Sequence, residues 1–260
     1  MEVHHHSHTE KKSFKEYLLE GLMIFLAVTM GFIAENIREN ITENRKAAEI
    51  AESLYKEVYA DSIAMQQKIN LRLQKETEMV YLRDYFKDST LDNFSKKAGI
   101  AMVWTFILTY QTTFEPKDGI LSQLKNSSTI KFFKTPELQN LVGDLGVAIA
   151  RVRIRNEQEY NYVQGFTRPY ALKHFDFRWF DQFTEQGKLS TIQALFKKEY
   201  PDLIFHLNNL PDLKRNEAES LVAYYLLLAR SGRQVFYQDY IKANHKLLEA
   251  LKHNYHIKKE

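Results

Sequence analysis

Residues 17–34 of the chain, YLLEGLMIFLAVTMGFIA, form a long apolar run that predicts a membrane-spanning helix. Its 18 residues make about 27 Å of helix, close to the roughly 30 Å thickness of a hydrocarbon layer. Glu20 interrupts the run and leaves 14 uninterrupted residues. That shorter length also suits a buried helix or the hydrophobic part of a signal peptide.

Both alternatives are weakened by what surrounds the run. No pair of small residues closes it in the pattern that a signal peptidase needs, because Phe32 stands two positions before Ala34 and Glu35 follows. A polar leader of 16 residues precedes the run and a strongly charged segment follows it, which is unusual for a core helix. The sequence therefore predicts one transmembrane helix at residues 17–34, and everything after it becomes a tethered domain.

Three residues of the predicted span are singled out by their type. Glu20 lies one turn inside the boundary, where we expect it to reach toward headgroups or pair with Lys12 or Lys15, with a proton-carrying role as the alternative. Ala27 and Gly31 form a small-xxx-small pair that lets two spans approach closely. This pair predicts self-association of the span.

Composition limits the classes of function. The chain has 260 residues, is 44% hydrophobic and carries a net charge of +3, with no nucleic-acid-binding motif, so we expect no nucleic-acid partner. It has no cysteine, which excludes disulfides, thiol catalysis and iron–sulfur clusters and suits a domain outside the cytoplasm. No phosphate loop, HExxH or GxSxG motif is present, and this argues against an enzyme.

Charges flanking the span are nearly balanced. Three lysines precede it and three basic residues follow it within its first turns, so the positive-inside rule alone does not decide the orientation. A short basic tail usually stays in the cytoplasm while a long domain is translocated. We expect a bacterial inner-membrane location with the N-terminus in the cytoplasm and the main domain outside it.

Residues 35–88 predict a long amphipathic helix continuous with the span. No glycine occurs between Gly31 and Gly99, and no proline occurs before Pro116. Apolar residues recur at spacings of mostly three, four or seven. Asn44 and Ser62 at seam positions argue against a strong coiled coil, so we expect part of this helix to pack on the domain and part to pair with a neighbouring chain. The apolar positions are Ile37, Ile41, Ala48, Ala51, Tyr55, Val58, Met65 and Ile69.

Residues 89–260 predict a helical bundle, so that the fold class is all-α. Thr135 followed by Pro136 is a helix start signal, and Arg168–Pro169 and Ser231–Gly232 predict helix breaks. Only residues 128–133, STIKFF, have strand character. Helices are predicted at residues 96–114 with a buried run at 100–108, and at 117–126, 136–164, 189–198, 213–229 and 235–254.

The first 36 residues, MEVHHHSHTEKKSFKEYLLEGLMIFLAVTMGFIAEN, resemble the opening of an uncharacterised bacterial family of single-span, membrane-anchored helical proteins with a His-rich leader. Residues 118–142, DGILSQLKNSSTIKFFKTPELQNLV, resemble a segment of related domains of unknown function. The resemblance implies a bacterial envelope protein. It implies no known activity, so no catalytic residue is carried over.

The leader, residues 1–16, contains a candidate metal site. Its histidines, His4, His5, His6 and His8, lie within five residues, and imidazole is a common ligand of zinc, copper and nickel. Glu2 or Glu10 would supply a fourth ligand. The alternative is an unstructured polar leader.

Two further clusters are candidates for a catalytic pair and for an anion-binding site. His174 and Asp176, in the aromatic stretch KHFDFRWFDQF, could form a base and its orienting carboxylate, against an aromatic corner packed between helices. Arg151, Arg153 and Arg155 predict a solvated helix face rather than an anion site.

The sequence as a whole predicts a membrane-anchored structural or interaction protein. It would present its helical domain to a partner in a bacterial envelope complex and self-associate, so that its partners are the lipid bilayer, further copies and another membrane protein. One alternative is a metal-responsive subunit of a membrane transport or motor assembly that uses the His-rich leader. The other is an enzyme of unknown chemistry near His174.

Overall fold

Helices account for nearly all of the regular structure. The computed structural model describes residues 13–91, 94–126, 129–180 and 204–257. Within these residues the protein is all-α, as the sequence predicts, and its β-type pairing is limited to an isolated bridge between Phe175 and Leu207. The chain divides into two units, Met1–Ile50 and Ala51–Glu260. The helix predicted at 189–198 lies outside the described residues.

The first helix, α1 (Phe14–Asp88), is 75 residues long and contributes to both units. It is continuous, as predicted, because no proline and no glycine beyond Gly31 interrupts it. The start of the predicted apolar stripe does not pack on the described part of the chain, since Ile37 and Ile41 are exposed, and pairing of this part with a neighbouring chain stays a prediction. From Ala51 onward α1 buries a face at spacings of three and four, and this face includes Ala51, Leu54, Val58, Asp61, Met65, Arg72, Lys75, Met79, Leu82 and Phe86.

The second helix is shorter than predicted. α2 (Lys96–Met102) continues as a π-helical turn, π1 (Val103–Ile107), and ends there rather than at residue 114. The threonines that follow bond back to the backbone, with the Thr112 hydroxyl 3.0 Å from the Leu108 carbonyl oxygen, and such bonds compete with the helical ladder. The run at 100–108 is almost entirely buried, as predicted.

A short helix and a 3₁₀ turn follow. α3 (Gly119–Asn126) agrees with the predicted helix but begins two residues later. Thr129–Phe132 forms a 3₁₀ turn, so the strand character predicted for this stretch is wrong. An isolated apolar run has no second strand to pair with, and local turn hydrogen bonds satisfy its backbone instead.

The helix after Thr135 begins as predicted but does not break where expected. α4 (Pro136–Tyr162) starts with proline at its first position and continues through π2 (Val163–Thr167) into α5 (Arg168–His174). The predicted break at Arg168–Pro169 is therefore wrong. The wider π turn just before Pro169 shifts the hydrogen-bond ladder where the proline has no N–H to donate.

The last two helices are also joined by a π turn. α6 (Arg215–Ser231) passes into π3 (Gly232–Tyr237) and then α7 (Gln238–Tyr255), so the predicted break at Ser231–Gly232 is wrong. Gly232 has a packing role. A Cβ atom there would lie 2.8 Å from Glu159 Oε1 and 3.0 Å from Arg72 Nη2, and glycine allows this close approach.

The buried side chains of the second unit come from all of its longer helices. α4 packs along α7. A separate hydrophobic cluster joins the end of α1 to α2, π1 and α6 and to the aromatic residues after α5. Its largest members include Phe86, Trp104, Phe106, Phe175, Trp179 and Tyr225.

Candidate functional sites

The first candidate site is the apolar stretch of α1 in the first unit. Residues 17–34 are exposed except for Thr29, whose hydroxyl donates to the Phe25 carbonyl oxygen at 2.8 Å. Glu20, Ala27 and Gly31 all lie in this exposed helix. An added Cβ at Gly31 would meet nothing within 4 Å. α1 is long and apolar enough to cross a membrane by length and composition, and its most apolar window is 0% buried.

The second candidate site is a group of buried polar side chains, which we call the Arg72 cluster (Arg72, Lys75, Glu159, Tyr225 and Tyr237). Arg72 on α1 pairs with Glu159 on α4, and their side chains are only 1% and 3% exposed. Arg72 Nε also donates to the Ala229 carbonyl oxygen at 3.1 Å. A buried ion pair is stable only when its remaining donors find partners. Here those partners come from the end of α6.

Lys75 lies one turn beyond Arg72 and is also buried. Its Nζ donates to the Tyr225 hydroxyl at 2.7 Å and lies 4.5 Å from the centre of that ring. Within the described part of the chain no carboxylate lies at ion-pair distance from it. Burial, together with the nearby Arg72 guanidinium, lowers the pKa of Lys75 from 10.5 to about 7. The amine is therefore close to equal amounts of charged and neutral forms near neutral pH.

Arg155 extends this group toward the π3 turn. Its Nη2 donates to the Leu228 carbonyl oxygen at 2.9 Å and to the Ser231 hydroxyl, while its buried Nε has no hydrogen-bond partner among the described residues. Two arginines, Arg72 on α1 and Arg155 on α4, thus hold adjacent carbonyl groups at the end of α6. They fix the place where α6 turns into π3.

Another ion pair lies beside the Arg72 cluster. Glu76 accepts two hydrogen bonds from Arg233, at 2.7 and 2.8 Å. Burial of the amine is the main reason that protonation of Lys75 is unfavourable, and the Arg72 guanidinium adds to it while Glu159 opposes it. Lys75 is only 2% exposed, so the cluster in this conformation positions helices and does not contact an external ligand.

His174 and Asp176 do not form the predicted base and carboxylate pair. Arg178 donates to the Asp176 carboxylate through its backbone N–H and its guanidinium, and holds the pKa of that group at about 2. The ring of His174 lies 4.6 Å from that of Tyr170, and its buried Nδ1 has no hydrogen-bond partner among the described residues. The surroundings agree with the aromatic corner, since Phe175 and Trp179 belong to the hydrophobic cluster.

The three arginines of α4 are ion-paired, and the predicted solvated face is wrong for one of them. Arg153 binds Glu115 and Asp118, each at 2.7 Å, and Arg151 binds Asp239 at 2.7 Å. Arg155 is buried. As predicted, Arg151 and Arg155 lie on one side of the helix, where both guanidinium groups contact the ring of Phe236.

A groove of about 360 Å³ separates α1 from α7 in the second unit. Tyr55 and Tyr59 stack along one wall, with ring centres 6.0 Å apart. Asn244 on α7 closes the floor by donating to the Val58 carbonyl oxygen at 2.9 Å. The lining of the groove combines aromatic and amide side chains from both helices with Glu249 and Lys252 of α7.

The candidate metal site of the leader, His4, His5, His6 and His8, lies outside the described residues. Binding of zinc, copper or nickel there stays a prediction. Among the described residues no group of three or more His, Asp or Glu side chains could hold a metal ion.

Sequence reasoning missed the Arg72 cluster, although a signal was present. The apolar stripe predicted for α1 ends at Ile69. Continued at the same spacing, it places Arg72 and Lys75 on the buried face before Met79 resumes the apolar pattern. Charged residues at seam positions of a long helix indicate a buried polar partner.

Comparison with known proteins gives no information on the function of the chain. No family model, curated protein or solved structure matches the chain. The resemblance of its first 36 residues to a membrane-anchored family therefore stays a prediction, and the functional argument rests on the geometry above.

Proposed function

We propose that this protein is a single-span membrane protein whose helical domain binds a partner in a bacterial envelope complex. One observation carries the proposal. An 18-residue window of α1 with mean hydropathy 2.0 has none of its surface covered by the rest of the chain. A core helix of a water-soluble domain is buried, whereas lipid would cover all sides of this one.

Polar groups at the edges of the stretch support this assignment. The Thr29 hydroxyl bonds within the helix, which is how such a group is satisfied in hydrocarbon. Just past residue 34, Glu35 accepts from Arg38 Nε at 3.0 Å on an exposed surface. We assign Glu20 to the headgroup region, where its carboxylate would reach water or a lysine of the leader.

The orientation and location follow from the same anchor. A short N-terminal tail with Lys11, Lys12 and Lys15 stays in the cytoplasm, and the long domain lies outside the bacterial inner membrane. The absence of cysteine suits that compartment.

An interaction role fits the second unit better than catalysis. Its buried charged side chains have hydrogen-bond partners within the chain: Arg72 bonds Glu159 and a backbone carbonyl group, and Lys75 bonds the Tyr225 hydroxyl. Asp176 is engaged by Arg178 rather than by His174. The anchored domain would therefore act by holding a fixed surface in place for a partner.

Two measurements on the full-length chain test the proposal. After expression in a bacterium, membranes are washed with carbonate at high pH and floated on a density gradient. We expect the chain to float with lipid, and recovery in the wash would refute the anchor. Cross-linking in native membranes should then give a species larger than the chain, whereas a lone monomer would refute the interaction role.

A further inference from the structure

The outward face of α1 between residues 59 and 77 carries no charge. Every exposed residue in this interval is uncharged, although 27% of the whole chain is charged. An ordinary surface helix places its charges on the outward face. Depletion of charged groups together with exposed aromatic and aliphatic side chains is typical of the core of a protein interface.

Charged residues are present in this interval but lie on the inner side of α1. Asp61 accepts from the Lys117 backbone N–H at 2.8 Å and from the Tyr240 hydroxyl at 3.0 Å. Lys68 donates to the Gln111 carbonyl oxygen at 2.7 Å. The rest of the inner charges belong to the Arg72 cluster and its neighbour Glu76. The interval has about the same share of charged residues as the whole chain, so its outward face lacks charge because of where those residues are placed.

Five exposed residues of this face form a regular line. Tyr59, Ile63, Gln66, Asn70 and Leu73 follow one another at spacings of four, three, four and three. The three apolar members are 42%, 49% and 43% exposed. Alternation of three and four keeps residues on one side of a helix and is the pattern of a helix–helix seam. We call this line the Tyr59 seam.

We infer that the Tyr59 seam is a dimer interface, covered by the same seam of a second copy of this chain with the two α1 helices parallel. This rests on the proposed function, because copies anchored through the same N-terminal span in one bilayer have the same orientation. A parallel two-fold pair brings each residue of the seam opposite its own counterpart.

The chemistry of the seam suits a copy of itself. An uncharged face meets its own copy without like-charge repulsion. The amides of Gln66 and Asn70 each carry a donor and an acceptor, so that each can bond its counterpart across the two-fold axis. A polar side chain at such a position specifies register and the number of helices at some loss of stability.

The groove between α1 and α7 gives the second copy room beside the seam. Tyr59 and Gln66 belong both to the seam and to the groove lining, and the groove holds about 360 Å³. Large side chains of the partner helix can therefore enter it without displacing the buried face of α1. The Tyr59 seam and the groove adjoin each other, so a second copy would contact both.

Cysteine cross-linking tests the inference in native membranes. The chain has no cysteine, so one introduced thiol is unique. We expect Gln66→Cys and Asn70→Cys to form disulfide-linked homodimers under mild oxidation. Ile154→Cys, at an exposed position of α4, is the control and should stay monomeric. Failure of both seam variants to form a homodimer, or their linkage to a different protein, would overturn the inference.

A charge placed in the seam gives a second test. Ile63→Arg puts two guanidinium groups face to face, and we expect the dimer dissociation constant in lipid nanodiscs to rise by about tenfold or more. Ile154→Arg changes the same residue type at similar exposure, 54% against 49%, and should leave the dimer intact. Equal dimer fractions for the two variants would overturn the seam.

Different measurements refute the proposed membrane anchor and the proposed dimer interface. Circular dichroism and tryptophan fluorescence confirm that each variant is folded, and carbonate washing reports the anchor separately. If the wild-type chain floats with lipid but stays monomeric, the proposed dimer interface is refuted and the proposed membrane anchor is not. A chain recovered in the wash would remove the anchor, whatever its oligomeric state.

Discussion

Two stretches of the same helix bury and expose opposite kinds of side chain. Along residues 17–34 of α1 the apolar side chains are exposed, whereas along residues 61–76 charged side chains are enclosed. The difference teaches that the surroundings, and not the helix itself, determine which residues each stretch tolerates. In the proposed function, lipid supplies the apolar environment of the first stretch. The second needs hydrogen-bond partners from within the chain.

Each stretch is consequently sensitive to a different change. An added charge should oppose membrane insertion of the first stretch, whereas at an exposed position of the second it should change the stability of the folded chain little. Removal of one member of a buried pair should harm the second, because the charge left behind has no water around it.

Arg72→Met should have the largest effect. It leaves the Glu159 carboxylate buried without its partner, and we expect a loss of about 3–5 kcal/mol in the free energy of unfolding. Urea unfolding in detergent, followed by the fluorescence of the buried Trp104 and Trp179, measures it. The matched control is Arg83→Met on the same helix, whose partner Asp84 is 49% exposed. A loss as small as the control's would show that the buried pair is not what stabilises this stretch.

Leu26→Arg should have the next largest effect. A charge near the middle of a span opposes insertion by about 2.5–3.5 kcal/mol, so less of the chain should be recovered in carbonate-washed membranes. Ile41→Arg is the control, because Ile41 is also exposed and apolar but lies beyond the span. If both variants were retained equally, residues 17–34 would not be in hydrocarbon.

Lys75→Met should act in the opposite direction and stabilise the protein by about 1–3 kcal/mol near pH 7. It removes a buried amine that has no carboxylate partner, and replacement of buried charge by an apolar side chain of similar volume is often stabilising. Equilibrium unfolding of the two proteins at pH 7 measures the difference. If the variant is less stable than the wild type, the hydrogen bond from Lys75 to Tyr225 stabilises the fold by more than burial of the amine destabilises it.

The advantage of Lys75→Met should depend on pH in a defined window. The pKa of Lys75 is about 7 in the folded protein and 10.5 when unfolded. Between these values the unfolded chain binds more protons, so wild-type stability rises with pH. The difference between the two proteins should shrink by about 1.4 kcal/mol per pH unit between pH 8 and 9.5. A constant difference across this window would contradict the lowered pKa.

Glu35→Gln should have the smallest effect. Its pair with Arg38 is exposed on both sides, at 59% and 76%, and ion pairs in water contribute little to stability. We expect no measurable change in the urea midpoint or in membrane recovery. A clear shift in either would show that this surface pair is coupled to the anchor.

Local signals predicted much of the fold. The apolar run, the absence of helix breakers after Gly31 and the start at Thr135–Pro136 each depend on neighbouring residues, and the structure agrees with them. The break expected at Arg168–Pro169 failed because a π turn adjusts the ladder ahead of the proline. The sequence has no local signal for such a turn.

Long-range partners explain what the sequence could not predict. Arg72 and Glu159 are 87 residues apart, so no short pattern pairs them. Gly232 marks a predicted break, yet its role is to admit that ion pair against π3. The Tyr59 seam also depends on long-range contacts, because packing of the inner face of α1 against the other helices determines which residues of α1 are exposed.

Spin labels on single cysteines test the central claim most directly. In a chain without native cysteine, Met23→Cys and Leu26→Cys place labels on one side of the helix, and Phe32→Cys places a label on the opposite side. We predict that, in bacterial lipid, every label collides more with oxygen, which concentrates in hydrocarbon, than with a water-soluble nickel chelate, and that Ile41→Cys shows the reverse. Preferential collision with the chelate at residues 23, 26 and 32 would contradict the membrane anchor.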